Sequence, residues 1–393
     1  MLFKLHPDEH AISIPRLYSV ILLTKCLRMK YLLFVGVFIL LSICCSDKTE
    51  SNPLVPQQPV TIEEKVLTQN LSHPWEILWG PDNFIWMTER NGKISRVNPL
   101  SGAVTVVHTI QDVVSSGEGG LLGMVLHPNF SSNPYVYVGY NFTGSNGYKE
   151  KIVRFTYNGT TLSAPLILVD NIDASGIHNG CRLVIKDDKL YITTGDAANQ
   201  PSAQNTSSLN GKVLRINLDG SIPSDNPIAN NRVWSWGHRN AQGLVFAGNK
   251  LFSSEHGPAN DDEINTIEKA RNYGWPSVEG MCNETNEQSF CTANNIKEPI
   301  YTWTPTAAVC GMDFYNSDHL PQWKNSLLVT TLKNSRLYKL KLNAAQTEVT
   351  EATEFFNNKY GRLRDVCVAP DGKVYFSTSN GSNDKIVVVS ALP

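Results

Sequence analysis

Residues suited to proton transfer lie at the ends of short apolar segments in this 393-residue sequence. His178 stands just before one such segment, and Asp196 follows the next segment along the chain. An imidazole can accept a proton near neutral pH, and a carboxylate can hold its ring in one orientation. A lone exposed histidine is just as often an ordinary surface residue, so this pair indicates an active site only if other groups converge on it.

Four cationic side chains occupy comparable positions elsewhere in the chain: Arg239, Lys333, Arg362 and Arg364. Like charges cannot meet in a partly dry pocket without a compensating partner, because repulsion and desolvation both cost free energy. A ligand with several carboxylates or phosphates would supply that partner, and arginine could bind it through paired hydrogen bonds. Acidic residues and backbone carbonyls in the segment 255–263 would suit a hard cation such as Ca²⁺.

The segments that must position these groups form six similar clusters from residue 66 onward. Each cluster has a short apolar strand, a turn containing Pro, Asp, Asn or Gly, an aromatic strand and a strand rich in Lys, Arg and β-branched residues. Strand clusters that recur every 40–50 residues or so are typical of a β-propeller. We therefore predict an all-β fold, a six-bladed β-propeller of four-stranded antiparallel blades over residues 66–393, whose loops converge on one axial mouth.

Composition supports one large folded domain of this kind. Hydrophobic residues make up 41% of the chain and charged residues 18%, which is enough apolar surface for a core and too little charge for a disordered chain. The 34 basic and 36 acidic residues nearly balance, which argues against a nucleic-acid partner. Aromatic residues of the strands, such as Trp86, Tyr137, Tyr191 and Tyr375, are expected to pack between blades.

The first 65 residues have a different character. The run 29–45 begins with Met29 and Lys30 and continues as an apolar stretch too short for a comfortable membrane span, which predicts a secretory signal. If Met29 is the true start of translation, residues 1–28 are an upstream extension of the protein sequence. Cys44 or Cys45 before the polar Ser46 resembles a lipidation site, with an ordinary signal peptide or an uncleaved anchor as alternatives. Residues 46–65 are polar and contain proline, as expected of a flexible tether.

Export would place the remaining cysteines in an oxidising compartment that permits disulfides. Cys282 and Cys291 flank a short polar loop and form the expected pair. Five cysteines follow residue 45, so at least one thiol stays free or pairs outside the chain. We predict an exported protein: in a bacterium, a periplasmic protein or one anchored to the outer membrane by a lipid, and otherwise a secreted protein.

The order and number of short motifs make the chain resemble the soluble, pyrroloquinoline-quinone (PQQ)-dependent glucose and aldose sugar dehydrogenases, the glucose/sorbosone dehydrogenase-like family of six-bladed propellers. Each motif alone is weak, and together they cover about residues 66–390. The matching segments are Trp79-Gly80-Pro81-Asp82, Glu118-Gly119-Gly120-Leu121-Leu122-Gly123, Gly195-Asp196, Gly211-Lys212-Val213-Leu214-Arg215, Gly237-His238-Arg239-Asn240, Asp261-Asp262-Glu263-Ile264-Asn265, Asn272-Tyr273-Gly274-Trp275-Pro276, Arg364-Asp365 and Pro370-Asp371-Gly372.

The resemblance implies oxidation of an aldose at C1 to a lactone. His178 would be the base that takes the proton of the anomeric hydroxyl while hydride passes to the quinone, and Asp196 would orient that base. Arg239 would stabilise negative charge at the quinone oxygens, with Asn240 beside it. An external electron acceptor would then reoxidise the cofactor.

The resemblance also implies which residues hold PQQ and calcium. Three cations, Lys333, Arg362 and Arg364, would bind the carboxylates of PQQ. Trp303 and Thr306 would line the cofactor slot. The carbonyls of Gly257 and Pro258 would ligate the Ca²⁺ beside the cofactor, where it would act as a Lewis acid. Glu263 and the carbonyl of Tyr273 would form a second, structural Ca²⁺ site.

Several residues depart from the glucose-specialised branch of this family. Glu118, the expected sugar contact, stands where that branch has an amide, and Ile177 stands where it has an acid. The long insertions associated with dimerisation are absent. These departures favour broad aldose specificity and a monomer.

Two other functions are known for propellers of this kind. A calcium-dependent lactonase would need an axial metal held by acidic and amide side chains, which the axial cations disfavour. A non-catalytic binding propeller would be expected to lack His178 or the cationic set, and this chain has both.

Overall fold

The computed structural model describes residues 58–392, which form six four-stranded sheets. The first strand is β1 (Ile62–Leu71). Blade 1 consists of β2 (Pro74–Trp79), β3 (Ile85–Glu89), β4 (Lys93–Val97) and β5 (Val104–Thr109). Blade 2 consists of β6 (Leu121–Leu126), β7 (Tyr135–Gly144), β8 (Gly147–Tyr157) and β9 (Leu162–Asp173). Blade 3 consists of β10 (Gly180–Lys186), β11 (Lys189–Thr194), β12 (Lys212–Asn217) and β13 (Val233–Trp236).

Blades 4 to 6 continue the same antiparallel order. Blade 4 consists of β14 (Ala241–Ala247), β15 (Lys250–Glu255), β16 (Asp262–Ile267) and β17 (Tyr301–Trp303). Blade 5 consists of β18 (Val309–Tyr315), β19 (Ser326–Thr331), β20 (Leu337–Leu342) and β21 (Val349–Phe355). Blade 6 consists of β22 (Leu363–Val368), β23 (Val374–Thr378), β24 (Asp384–Ala391) and β1. The prediction of a six-bladed propeller with four-stranded antiparallel blades is confirmed.

The ring is closed by the N-terminal strand, which is the outermost strand of the last blade. β1 pairs antiparallel with β24, from Ile62 opposite Ala391 to Leu71 opposite Asp384. The propeller therefore begins at Ile62 rather than at residue 66. Residues 62–65, predicted as the end of the tether, lie in the β1–β24 ladder because the outer edge of β24 would otherwise be left unpaired.

Helical structure is confined to a few segments of the described chain: α1 (Thr285–Asn294) and two 3₁₀ turns, Gln200–Ala203 and Pro321–Trp323. Cys282 and Cys291 form the predicted disulfide, but Cys291 lies within α1, whose first turns occupy most of the segment predicted as a loop. Cys181, Cys310 and Cys367 are free and buried, as the odd count required.

Among residues 58–392, no helix is long and apolar enough to cross a membrane. The signal segment 1–45, with Cys44 and Cys45, and most of the tether lie outside the described residues, so export and lipidation stay predictions.

Aromatic side chains fill the space between neighbouring blades, as predicted. Trp86 of blade 1 is fully buried and meets Tyr157 of blade 2 edge-on, with ring centroids 5.1 Å apart. Tyr375 of blade 6 packs on Trp79 of blade 1 at 5.8 Å. Such pairs combine large apolar burial with favourable ring geometry, so the blades form a rigid frame for the loops.

The first strands of the blades contact one another in a ring around the axis. The axis is filled by Arg182, which bonds Glu76 at 2.6 Å and Asp365 at 3.1 Å and lies 4.2 Å above the ring of Trp75. Because strands alternate in direction, the loops before each first strand and after each second strand emerge at one face. Most predicted site residues lie in these loops, whereas Arg364 and Glu263 lie in strands, Trp303 ends β17, and Tyr273 lies between β16 and β17.

Candidate active site

A histidine–aspartate pair joins two loops of blade 3. His178 Nδ1 lies 2.8 Å from Asp196 Oδ1. Asp196 is fully buried, and its Oδ2 accepts a hydrogen bond from Trp275 Nε1 at 2.8 Å. Because a carboxylate only accepts hydrogen bonds, His178 Nδ1 carries the proton and Nε2 is left to accept one. The structure thus brings the predicted base and its predicted orienting residue together.

The backbone at His178 is held in an unusual conformation. Its φ is 57°, in the left-handed region that few residues other than glycine adopt. The carbonyl of His178 accepts a hydrogen bond from the amide of Ala197 at 3.0 Å. Gly195 makes this approach possible, since a Cβ there would lie 1.9 Å from the same oxygen. The Gly195-Asp196 motif therefore serves both the close packing of the loop and its chemistry.

Arg239 and Asn240 lie beside this pair, just before the first strand of blade 4. The carbonyl of Arg239 accepts the amide of Asp196 at 2.8 Å, and Asn240 Oδ1 accepts the amide of Gly180 at 3.1 Å. Asn240 is fully buried, yet its Nδ2 has no partner among the described residues, and neither does Arg239 Nε. Burial lowers the pKa of Arg239. Both side chains thus have polar groups that a ligand could satisfy.

An axial cavity of about 300 Å³ opens next to these residues. Its polar lining includes Arg90, Glu118, Gln242, His256, Arg362 and Arg364. Arg364 is buried, donates to Gln242 Oε1 at 2.7 Å and leaves its Nε without a partner among the described residues. Within residues 58–392, no salt bridge involves the cations at this mouth: Arg90, Arg239, Lys333, Arg362 and Arg364. Three arginines of the lining, Arg90, Arg362 and Arg364, therefore outnumber its one carboxylate, Glu118, and none of them is ion-paired among the described residues.

Three further predicted residues come from blades 4 and 5. Lys333 is exposed and donates to Thr306 Oγ1 at 3.2 Å, so these two residues lie together. Trp303 is only 7% exposed and packs against Tyr301 and Tyr338. Trp303 belongs to the apolar cluster of these blades and is not among the residues that line the axial cavity. Its assignment to the cofactor slot stays a prediction.

A second, very small cleft contains the residues predicted to bind calcium. Gly257, Pro258, Glu263 and Tyr273 line it together with acidic groups. Its volume of about 10 Å³ is room for about one water-sized sphere. The carbonyls of Gly257, Pro258 and Tyr273 accept no hydrogen bond from the described residues. Burial, reinforced by the Glu255 carboxylate, raises the pKa of Glu263 well above its usual range.

Side chains alone cannot make this cleft a metal site. Among residues 58–392, no three His, Cys, Asp or Glu side chains converge closely enough to ligate one ion. A cation here would also need backbone carbonyl oxygens, which are the donors that the sequence predicted and that Ca²⁺ accepts.

Four residues of the site were missed by the sequence analysis. Gln242 lies two residues after the Gly237-His238-Arg239-Asn240 motif and His256 lies in the segment 255–263, but neither residue type signals a role there. Trp275 also belongs to a quoted motif, and only its 2.8 Å bond to Asp196 shows what it does. Arg90 sits in a turn of blade 1 and resembles an ordinary solvated charge in the sequence.

The fold and the site define a propeller with an arginine-lined axial cavity beside a partly exposed histidine that is bonded to a buried aspartate. A family model described as glucose/sorbosone dehydrogenase matches residues 71–388. The chain belongs to the glucose/sorbosone dehydrogenase family, which confirms the resemblance inferred from its motifs.

Relatives support this membership. Quinoprotein glucose dehydrogenase B of Acinetobacter calcoaceticus is 34% identical, over 84% of this chain and 89% of that protein. Aldose sugar dehydrogenase YliI of Escherichia coli is 33% identical, over 84% of this chain and 93% of that protein. The structure of the PQQ-bound aldose sugar dehydrogenase of Streptomyces coelicolor matches with a TM-score of 0.73 and 29% identity, and covers 85% of this chain and 100% of the other.

Proposed function

We propose that the protein is a PQQ- and calcium-dependent dehydrogenase that oxidises aldose sugars at C1 to lactones. One observation carries this proposal: the His178–Asp196 pair is joined through Glu118 to a cavity whose three arginines form no salt bridge within residues 58–392 and outnumber its one carboxylate. Family membership supports it, since similar proteins include a quinoprotein glucose dehydrogenase and a PQQ-bound aldose sugar dehydrogenase.

The residues of the cavity fit PQQ, a planar quinone with three carboxylates. Arg239 Nε, Asn240 Nδ2 and Arg364 Nε are buried polar atoms without partners among the described residues, and such atoms are costly unless a ligand satisfies them. We assign the carboxylates to Arg362, Arg364 and Lys333. We assign the quinone oxygens to Arg239 and Asn240.

The small acidic cleft fits Ca²⁺. Free carbonyl oxygens of Gly257 and Pro258 provide hard, neutral donors. We propose that they hold an ion beside the cofactor, and that Glu263 and the carbonyl of Tyr273 hold a second, structural ion. The ion beside the cofactor would supply Lewis acidity when bound.

The side chains of the chain supply proton transfer and charge stabilisation. When bound, the quinone would supply the acceptor for the hydride that leaves C1, which carries the C1 hydrogen and both electrons. His178 Nε2 accepts the proton of the C1 hydroxyl, and Asp196 stabilises the imidazolium that forms. The guanidinium of Arg239 stabilises negative charge that develops next to it in a partly dry site. An external acceptor takes the electrons in the final step.

We assign the sugar contact to Glu118. Its side chain is exposed at the cavity, and Oε2 accepts a hydrogen bond from the amide of His178 at 3.1 Å. The second oxygen is available for a sugar hydroxyl. A single carboxylate oxygen selects weakly among epimers, which is consistent with broad aldose specificity, and we propose that the enzyme is a monomer because the long insertions associated with dimerisation are absent from the sequence.

Reconstitution with PQQ and CaCl₂ tests this function. We expect the protein to reduce an artificial dye with several aldoses, and His178→Ala to abolish turnover while PQQ still binds, as followed by fluorescence. Lys333→Ala should weaken PQQ binding more than turnover at saturation. His127→Ala, in a turn outside the cavity, is the matched control. An active His178→Ala variant would remove the proposed base, and PQQ binding without any sugar oxidation would favour a binding propeller.

A further inference from the structure

We propose that Arg90 is a positioning residue that holds the loop of the base His178 through Glu118. The inference rests on the proposed function for the role of His178. It assigns a task to an arginine that the cofactor and sugar assignments leave unused. It also gives Glu118 a second task besides contacting the sugar.

The first part of this connection runs from blade 1 to blade 2. Arg90 Nε donates to the carbonyl of Gly119 at 3.1 Å, and one terminal nitrogen donates to the same carbonyl at 2.9 Å. That nitrogen also bonds the carbonyl of Gly117. The guanidinium therefore donates hydrogen bonds to backbone carbonyls on both sides of Glu118. The Arg90 backbone carbonyl adds a fourth contact, accepting the amide of Leu121 at 3.1 Å.

The second part runs from blade 2 to blade 3. The amide of Glu118 donates to the carbonyl of Gly176 at 2.7 Å, and the Glu118 carboxylate accepts the amide of His178 at 3.1 Å. Gly117 allows this approach, since a Cβ there would lie 2.1 Å from the oxygen of Gly176. Residue 118 thus bonds the loop of the base on both sides of Ile177.

His178 needs such support. A left-handed backbone at a residue other than glycine persists only where its surroundings fix it. The bond from Asp196 fixes the ring of His178, while Glu118 fixes its backbone. A misplacement of about 1 Å of the base relative to the reacting hydroxyl can cost about 100-fold in rate.

The surroundings of the Arg90 guanidinium suit a positioning role better than the role of a solvated surface charge. The guanidinium is partly buried, close enough to Arg364 for repulsion to add to desolvation, and both lower its pKa. No carboxylate forms a salt bridge with it among residues 58–392. Its bonds instead go to carbonyl oxygens of one loop. The competing assignment is that Arg90 binds a cofactor carboxylate, because it lines the same cavity.

Amide hydrogen exchange of the full protein tests the connection without requiring turnover. In Arg90→Met we expect exchange of residues 174–179 to rise at least tenfold, although these residues belong to blade 3 and the substitution lies in blade 1. Arg96→Met is the control, since Arg96 is a blade 1 arginine that bonds Asp82 and Tyr157 and forms no hydrogen bond with residues 117–121 of the described chain. Unchanged exchange in Arg90→Met would overturn the inference, whether or not the protein oxidises sugars.

Kinetics then separate positioning from cofactor binding. We expect Arg90→Met to lower kcat about 10- to 100-fold while the Kd for PQQ changes less than threefold. Glu118→Gln keeps an oxygen that can accept the amide of His178, so it should retain at least tenfold more kcat than Glu118→Ala. The double variant Arg90→Met/Glu118→Ala should be hardly worse than Glu118→Ala alone, because both act along one path. A PQQ affinity that falls in step with kcat, or additive losses, would refute the positioning role.

Discussion

Replacing Asp196 by asparagine removes the negative charge behind the proposed base and leaves a side chain of nearly the same size. Asp196 lies 2.8 Å from His178 Nδ1, is fully buried and is also bonded to Trp275 and to the amide of Ala198. The variant should therefore fold, with its effect concentrated on the histidine.

The expected magnitude follows from the energy of this bond. A hydrogen bond to a charged partner contributes about 1.5–3 kcal/mol. Since about 1.4 kcal/mol corresponds to a factor of ten in rate, kcat should fall by about 10- to 150-fold. If the new amide donates to Nδ1, the proton moves to Nε2 and blocks the base, and the loss would approach about 10⁴-fold.

Dye reduction at saturating PQQ and CaCl₂ measures kcat and KM, and PQQ fluorescence measures cofactor affinity. Asp313→Asn is the matched control, because Asp313 accepts the amide of Val368 at 2.7 Å outside the axial cavity. Thermal unfolding checks that both variants fold. A kcat for Asp196→Asn within twofold of the wild type would refute the reasoning. A loss seen only in PQQ affinity would assign Asp196 to the cofactor pocket instead.

Two further predictions concern stability. Burial raises the pKa of Glu150 to about 8, so its folded form keeps a proton that the unfolded chain releases near pH 4.5. The contribution of Glu150 to the free energy of unfolding is therefore fully present below about pH 4.5. It falls by about 1.4 kcal/mol per pH unit as the pH rises to about 8. Glu150→Gln should flatten the fall in Tm between pH 5 and 8, and an unchanged slope would contradict the assignment. Removing the Cys282–Cys291 disulfide, whose cysteines are nine residues apart, by a double serine substitution should lower the free energy of unfolding by about 2–3 kcal/mol. Equal Tm values for the variant and the oxidised wild type would show that α1 and its neighbours already order this segment.

Much of the fold was predictable because the signals are local and repeated. Turns such as Pro81-Asp82 and Pro370-Asp371 recur between apolar strands, and this periodicity predicts blades without knowledge of any distant contact. The place of β1 was not predictable in this way. Its partner β24 is more than 300 residues away, and nothing local in residues 62–65 distinguishes a paired strand from a tether.

The helix α1 was missed for a different reason. Only Glu287 is buried in it, so it has no apolar face that a periodicity search would find. The disulfide between Cys282 and Cys291 was predictable, because it depends on residue type and short separation rather than on a pattern of burial.

The sequence by itself determined the residue types of the candidate site and the family to which they belong. His178, Asp196, Arg239 and Asn240 stand in motifs whose order along the chain is informative. Only the tertiary structure decided which groups share one buried space: that His178 and Asp196 lie in contact, and that Arg90 reaches the loop of the base through Glu118. The physical reason is the antiparallel order of the blades and their side-by-side packing, which bring the end of a second strand and the loops before neighbouring first strands to one face.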